Sequence, residues 1–202
     1  MDKINITSID VFRADIAMKE PFRIAIMEIS EARNVFVRIN TDAGVYGFGE
    51  ASPFWKICGE TQGTCLAAAR DLALVLKGKN PLDLEARTRE LRQFLDNNTT
   101  IISAFDMALH DIAAKVAGMP LYALFGGGNR TLTTDMTIGL GDPANMARKS
   151  TEILKQGFGS IKVKLGTTPK ADEERVAAIR ESVGPDIPLR IDANQGWDVT
   201  TA

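Results

Sequence analysis

Residues 160–197 read SIKVKLGTTPKADEERVAAIRESVGPDIPLRIDANQGW, and this stretch decides the fold. Ser160–Leu165 alternates apolar and polar residues, the period of a strand. From about Pro169, Val176, Ile179 and Val183 recur at helical spacing, and Gly184 ends the run. Pro188–Ala193 alternates again. Strand, helix, strand over so few residues predicts a parallel pair with a helical crossover. The same grammar extends upstream. Leu132–Leu140 reads as a strand, followed by an Asp142 cap, Pro143 at the first helical position and a helix ending at Gly157. The strand starts at 132, 160 and 188 lie 28 residues apart, as in a regular βα repeat. Downstream, Asp198 reads as the N-cap of a third helix that the chain does not reach. Residues 131–202 therefore read as the front part of a longer (β/α) barrel, which takes about 250 residues when complete.

Alternation also assigns faces. Ile161, Val163 and Leu165 point toward helices, whereas Lys162 and Lys164 share the other face. Leu189, Ile191 and Ala193 oppose Arg190, Asp192 and Asn194. In the first strand Leu132, Met136, Ile138 and Leu140 oppose Thr133, Asp135 and Thr137. Charged and polar groups thus gather on one face, the later ones at the C-terminal strand ends where barrel enzymes build their sites. Lys-Val-Lys reads either as two solvated lysines on an edge strand or as paired ammonium groups. In the second case repulsion and burial would both lower a lysine pKa toward that of a neutral-pH base. Asp192 reads as a helix-capping aspartate or as a ligand for a hard cation such as Mg²⁺.

The first 130 residues have a different pattern. Ile4–Val11, Asn34–Asn40 and Gly44–Glu50 read as strands, the last two joined at Thr41–Gly44. Lys19–Ala32, opening at Glu20-Pro21, reads as a long loop, and Ala51–Thr61 as another. Helices follow at Thr64–Lys77, from Pro81, and at Ile101–Ala117. Residues 1–130 form an α+β domain and 131–202 the start of the barrel.

The 202 residues carry 24 Lys+Arg against 26 Asp+Glu, a net charge of −2. No basic excess is available for nucleic acid or an anionic membrane surface. No apolar run approaches the roughly 18 residues of a membrane span. The N-terminus MDKINITSID lacks a signal-peptide pattern, so the chain is expected in the cytoplasm. Cys58 and Cys65 suit reduced thiols, and the single histidine, His110, excludes multi-histidine metal sites.

Four segments together resemble the enolase superfamily in its muconate-lactonizing subgroup, and within it the dipeptide epimerases. They are VYGFGEASPF (45–54), SAFDMALHDIAAKVAGMPLYALFGG (103–127), IKVKLG (161–166) and LRIDANQGW (189–197). The resemblance implies an α+β capping domain and a (β/α)₇β barrel, here truncated after its third strand. It implies that Lys164 is one of two acid/base catalysts acting on the proton α to a carboxylate. Lys162 would lie against the substrate carboxylate. Asp192 would be the first of three Mg²⁺ ligands and Asn194 a polar group beside it, with Thr137 among the residues facing substrate. Mg²⁺ would stabilise the enediolate. Two further ligands and a second lysine belong to later strands, so the 202 residues alone are expected to be inactive.

Specificity in such enzymes lies in two capping loops, here Lys19–Ala32 and Ala51–Thr61. Epimerases acting on Ala-Glu carry an arginine in the first, and that position aligns with Met27; Arg23 lies four residues earlier. Ile24, Ile26, Met27, Phe54, Trp55 and Ile57 make both loops apolar, which points to small or apolar dipeptides. Muconate-type cycloisomerisation and o-succinylbenzoate synthesis would use the same Lys164 and Asp192, and a catalytically inactive fragment that only binds a partner is a third reading. The family is often oligomeric, so a homo-oligomer is included among the expected partners.

Overall fold

Val35, Val37 and Ile39 are fully buried and alternate with the half-buried Phe36, Arg38 and Asn40. That alternation belongs to a three-stranded sheet in the order β1-β2-β3, built from Ile6–Ile24, Met27–Thr41 and Tyr46–Ala51. The computed structural model describes residues 4–202. β2 and β3 are antiparallel, with Val37 opposite Gly49 and Ile39 opposite Gly47. After β3 come the short α1 (Trp55–Cys58), then α2 (Gln62–Leu76), α3 (Leu84–Phe94), α4 (Thr99–Val116) and the single turn α5 (Leu121–Leu124). α4 lies directly on β3. A Cβ at Gly47 would stand 2.0 Å from the Ala108 carbonyl oxygen, and one at Gly49 1.8 Å from that of Ala104. Only glycine permits this approach of backbone to backbone. Leu72, Leu91, Phe105, Leu109 and Ile112 complete the core.

The second sheet is parallel, in the order β4-β5-β6: Met136–Ile138, Ile161–Lys164 and Leu189–Asp192. Its connections are α6 (Pro143–Lys155) and α7 (Pro169–Val183). Asp142 caps α6 by accepting from Asn145 N at 2.9 Å, and Thr168 caps α7; each helix opens on proline. Ile138, Ile161, Val163 and Leu165 pack with Met146, Ile153 and Ile179.

Contacts divide the chain into two units. One comprises the residues up to Ala17 together with Glu31–Asn129; the other comprises Met18–Ser30 with Arg130–Ala202. Met18–Ser30 is thus grouped with the parallel sheet, although it precedes it by a hundred residues.

Three expectations are corrected. Lys19–Ala32 is not a loop: β1 and β2 run through it as a hairpin that turns at Ala25–Ile26. Pro21 reads as a strand breaker, but β1 is an edge strand, paired on one side only, where proline is tolerated. The helix expected from Pro81 begins at Leu84, because the Asn80 side chain accepts from Leu82 N at 2.9 Å and folds Pro81 into a turn. β4 covers only Met136–Ile138 of the expected 132–140. Met136 already pairs with Ile161, the first residue of β5, so earlier residues have no partner. Asp198 accepts from Thr201 N at 2.8 Å, but the residues that follow it form a turn and not a helix. Among the described residues no helix is long and apolar enough to cross a membrane.

Candidate active site

Parallel register brings the polar residues of the second sheet into rows. Thr137, Lys162 and Arg190 stand side by side on β4, β5 and β6, and Lys164 stands beside Asp192 one pleat further toward the C-terminal ends. The Asp192 carboxylate lies between both lysines. Its Oδ2 accepts from Lys164 Nζ at 2.7 Å and lies 2.9 Å from Lys162 Nζ. Lys164 is 8% exposed, buried like a core residue, while Lys162 is about a third exposed. Below them Arg190 pairs with Asp135 at 3.0 Å and contributes no net charge. Two ammonium groups against one carboxylate leave the strand ends with one excess positive charge, a setting that suits an anionic ligand.

The expected depression of both lysine pKa values does not hold for Lys162. Its pKa is raised, first because it donates to the Asp192 carboxylate; partial desolvation opposes this without prevailing. The carboxylate screens the repulsion that the sequence suggests. Hydrogen bonds from Lys162 and then Lys164 hold the Asp192 carboxyl far below the ordinary carboxylate range.

Beyond β6 the backbone turns sharply. Asn194 and Gln195 both have positive φ, 46° and 64°. Asparagine tolerates this region, but two such residues in succession store strain, about 1–3 kcal/mol for a non-glycine residue. Asn194 N donates to Asp192 Oδ1 at 2.9 Å, and Asn194 Oδ1 is buried without a hydrogen-bond partner. An orphaned buried amide oxygen beside a carboxylate is a pair of hard donors, the kind Mg²⁺ takes. Among the described residues no group of three or more His, Cys, Asp or Glu side chains forms a metal cluster. Asp192 alone supplies a carboxylate here, which fits one corner of an octahedral shell rather than a complete site.

The hairpin joins this unit through its backbone. Leu140 N, two residues past β4, donates to Arg23 O at 2.8 Å, and a Cβ at Gly166 would meet the Ala25 side chain at 2.9 Å. Met27 is half-buried and the Arg23 side chain is exposed. Phe54 belongs to the first unit, where it is half-buried and precedes α1; Trp55 and Ile57 beside it are exposed. His110 also lies in the first unit, its Nδ1 2.9 Å from Asp106 O and its ring 5.3 Å from that of Phe125.

Sequence reasoning missed Asp172 and Arg175. Asp172 is 3% exposed in the first turn of α7 and accepts from Gly166 N, Thr167 N and Trp197 Nε1 at 2.8–3.1 Å. Burial opposes its ionisation, yet the Trp197 and loop hydrogen bonds lower its pKa. An acidic residue in the first helical turn is the only trace in the sequence, and it reads there as a dipole partner.

The sequence matches the mandelate racemase/muconate lactonizing enzyme N-terminal domain over residues 6–126 and the enolase C-terminal domain-like family over 145–202. The chain belongs to the mandelate racemase/muconate lactonizing enzyme family. It is 42% identical to a D-Ala-D/L-Ala epimerase of Cytophaga hutchinsonii over 198 residues, covering 98% of this chain and 54% of that protein. It is 37% identical to a hydrophobic dipeptide epimerase of Enterococcus faecalis, covering 96% of this chain and 55% of the relative. The crystal structure of the Cytophaga dipeptide epimerase with Mg and D-Ala-L-Val superposes with a TM-score of 0.96, again over 98% of this chain and 54% of that one. The Enterococcus enzyme with Mg and L-Leu-L-Tyr gives a TM-score of 0.95 at 37% identity, over 98% of this chain and 56% of that one. The chain spans about half the length of the curated relatives it matches.

Proposed function

We propose that this chain supplies the capping domain and the first barrel strands of a Mg²⁺-dependent dipeptide epimerase, which inverts an α-carbon by removing and returning its proton. The observation that carries the reading is the convergence of Lys162, Lys164 and Asp192 at neighbouring strand ends. The relatives named above, whose structures hold Mg and a dipeptide, support it.

Lys164 Nζ takes or returns the α-proton; its burial excludes water from the transfer. Lys162 holds a fixed positive charge against the substrate carboxylate, matching the single excess charge at the strand ends. Thr137, in register with Lys162, offers a hydroxyl to the same ligand. Asp192 would hold Mg²⁺, with the unpartnered Asn194 Oδ1 a supporting polar group for the substrate. The bound ion would offset the negative charge that develops on the substrate carboxylate as the α-proton leaves. Six oxygens complete an octahedral shell and Asp192 supplies only part of it, so the 202 residues alone should turn over no dipeptide.

The side-chain preference follows from Met27. An Ala-Glu substrate brings a second carboxylate, and burying it unpaired costs several kcal/mol. Met27 cannot pair with it. Small or apolar dipeptides bury their surface instead, worth roughly 1–3 kcal/mol. Arg23 and Lys56 are the basic residues next to these apolar positions, and both side chains are exposed.

The test incubates the complete barrel enzyme that this reading implies, rather than the 202 residues alone, with Ala-Ala, Ala-Leu and Ala-Glu in D₂O, with and without Mg²⁺. Mg²⁺-dependent deuteration at one α-carbon, fastest for the small or apolar dipeptides, is expected. No deuteration of any dipeptide contradicts the activity, and Ala-Glu as best substrate contradicts the preference and points to Arg23 or Lys56.

A further inference from the structure

The three loops that follow β4, β5 and β6 meet on one buried ion pair of α7. Asp172 Oδ2 accepts from Gly166 N at 2.9 Å and Thr167 N at 3.1 Å, two and three residues past Lys164. The same oxygen accepts from Trp197 Nε1 at 2.8 Å, five residues past Asp192. Asp172 Oδ1 accepts from Thr167 Oγ1 at 3.1 Å and from Arg175 Nη1 at 2.7 Å. Arg175 in turn donates through Nε to Gly141 O at 2.9 Å, four residues past Thr137, and through Nη1 to Thr167 Oγ1. The carboxylate is 3% exposed and the Arg175 side chain 15%. Every polar atom that reaches Asp172 comes from a loop or from Arg175, and α7 already has its own cap in Thr168.

The loops are also interlocked without side chains. A Cβ at Gly166 would fall 2.2 Å from Ala193 O, and one at Gly196 2.3 Å from Gly166 O. Backbone from the β5 and β6 loops is in direct contact beside both site residues. Contact that close fixes the loops only while something holds them together, and the donors converging on Asp172 do so.

We propose that the Asp172–Arg175 pair is a positioning device, tying the loops after β4, β5 and β6 together and thereby setting where Lys164 and Asp192 stand. Neither residue touches substrate; both act through the strands they restrain. The catalytic consequence rests on the epimerase reading above, whereas the restraint itself does not. Buried donors are costly to leave unpaired, so losing one carboxylate oxygen frees several loop groups at once. A shift of the order of 1 Å at a reacting group can cost about 10²-fold in rate.

The experiment uses the intact protein and three variants. Asp172→Asn keeps the shape and replaces one acceptor oxygen by a donor. Arg175→Lys keeps the charge and loses the fork. Trp197→Phe removes one tie and keeps the ring. Hydrogen exchange of the Gly166, Thr167 and Gly196 amides is compared with that of α6 and α7 amides, and kcat is separated from KM for α-proton exchange of the best dipeptide. Asp172→Asn should speed exchange at the loop amides at least about tenfold while helix amides hold, and lower kcat about 10- to 100-fold with KM little changed. Arg175→Lys should fall between wild type and Asp172→Asn. Where Asp172→Asn does not fold, Trp197→Phe decides, with faster exchange at Gly196 and a smaller kcat loss expected. Loop amides unchanged, exchange rising equally through α6 and α7, or KM rising at constant kcat would each overturn the proposal. Should the wild type act on no dipeptide, the epimerase reading falls, and the amide comparison still decides the restraint.

Discussion

In the first unit Val35, Val37 and Ile39 point into the core while Phe36, Arg38 and Asn40 point outward. In the second Ile161 and Val163 point toward the helices while Lys162 and Lys164 point away. The alternation is the same, but the outward charges are handled differently. Arg38 spreads over two aromatic rings, 4.1 Å from the Tyr46 centroid and 5.7 Å from that of Phe48. The lysines of β5 instead converge on one carboxylate with a positive charge left over. A sheet whose outward charges are diluted over ring faces is scaffold. A sheet whose outward charges are concentrated at strand ends is equipped for chemistry.

The contrast breaks if substitutions in the two sheets have the same consequences. The largest effect is expected at Asp192→Asn in the intact protein. Mg²⁺ titration should weaken and turnover fall on the order of 10²–10³-fold, and the thermal midpoint should drop modestly because the buried Lys164 ammonium loses its partner. An unaltered titration would return Asp192 to a purely structural position. Gly49→Ala belongs to the other sheet and should do the reverse. Its Cβ would collide with the Ala104 carbonyl, costing about 3 kcal/mol in denaturant unfolding, while kcat of the folded fraction stays unchanged. Met27→Arg should sharpen the comparison at the hairpin. A partner for the second carboxylate should move kcat/KM toward Ala-Glu relative to Ala-Leu by about tenfold, read in a dipeptide screen. The smallest effect is expected at Arg38→Ala, about 0.5–1 kcal/mol of stability from the lost stacking and no change in turnover.

Much of the second sheet was legible because period-two alternation over Ile161–Leu165 and Leu189–Ala193 fixes faces without knowing neighbours. The proline-led helices at Pro143 and Pro169 were legible for a similar reason, since cap and first turn lie within three residues. What failed depended on distant partners. Pro21 breaks a strand only where its missing N–H would have been used, and edge position is not written locally. The Lys162 pKa was read from its neighbour Lys164, two residues away, whereas the group that governs it, Asp192, lies thirty residues along the chain. Asp172 is not legible as a site residue because its donors come from both sides of α7, as far off as Trp197. The grouping of Met18–Ser30 with the parallel sheet was hidden in the same way.

The central claim is that Lys164 moves the α-proton. Its direct test is α-proton exchange in D₂O by the intact Lys164→Ala protein, started separately from each epimer of the best dipeptide and followed by NMR. The prediction is loss of exchange from at least one epimer by about 10²–10⁴-fold, with the fold and Mg²⁺ binding retained. Exchange of both epimers at the wild-type rate would contradict it.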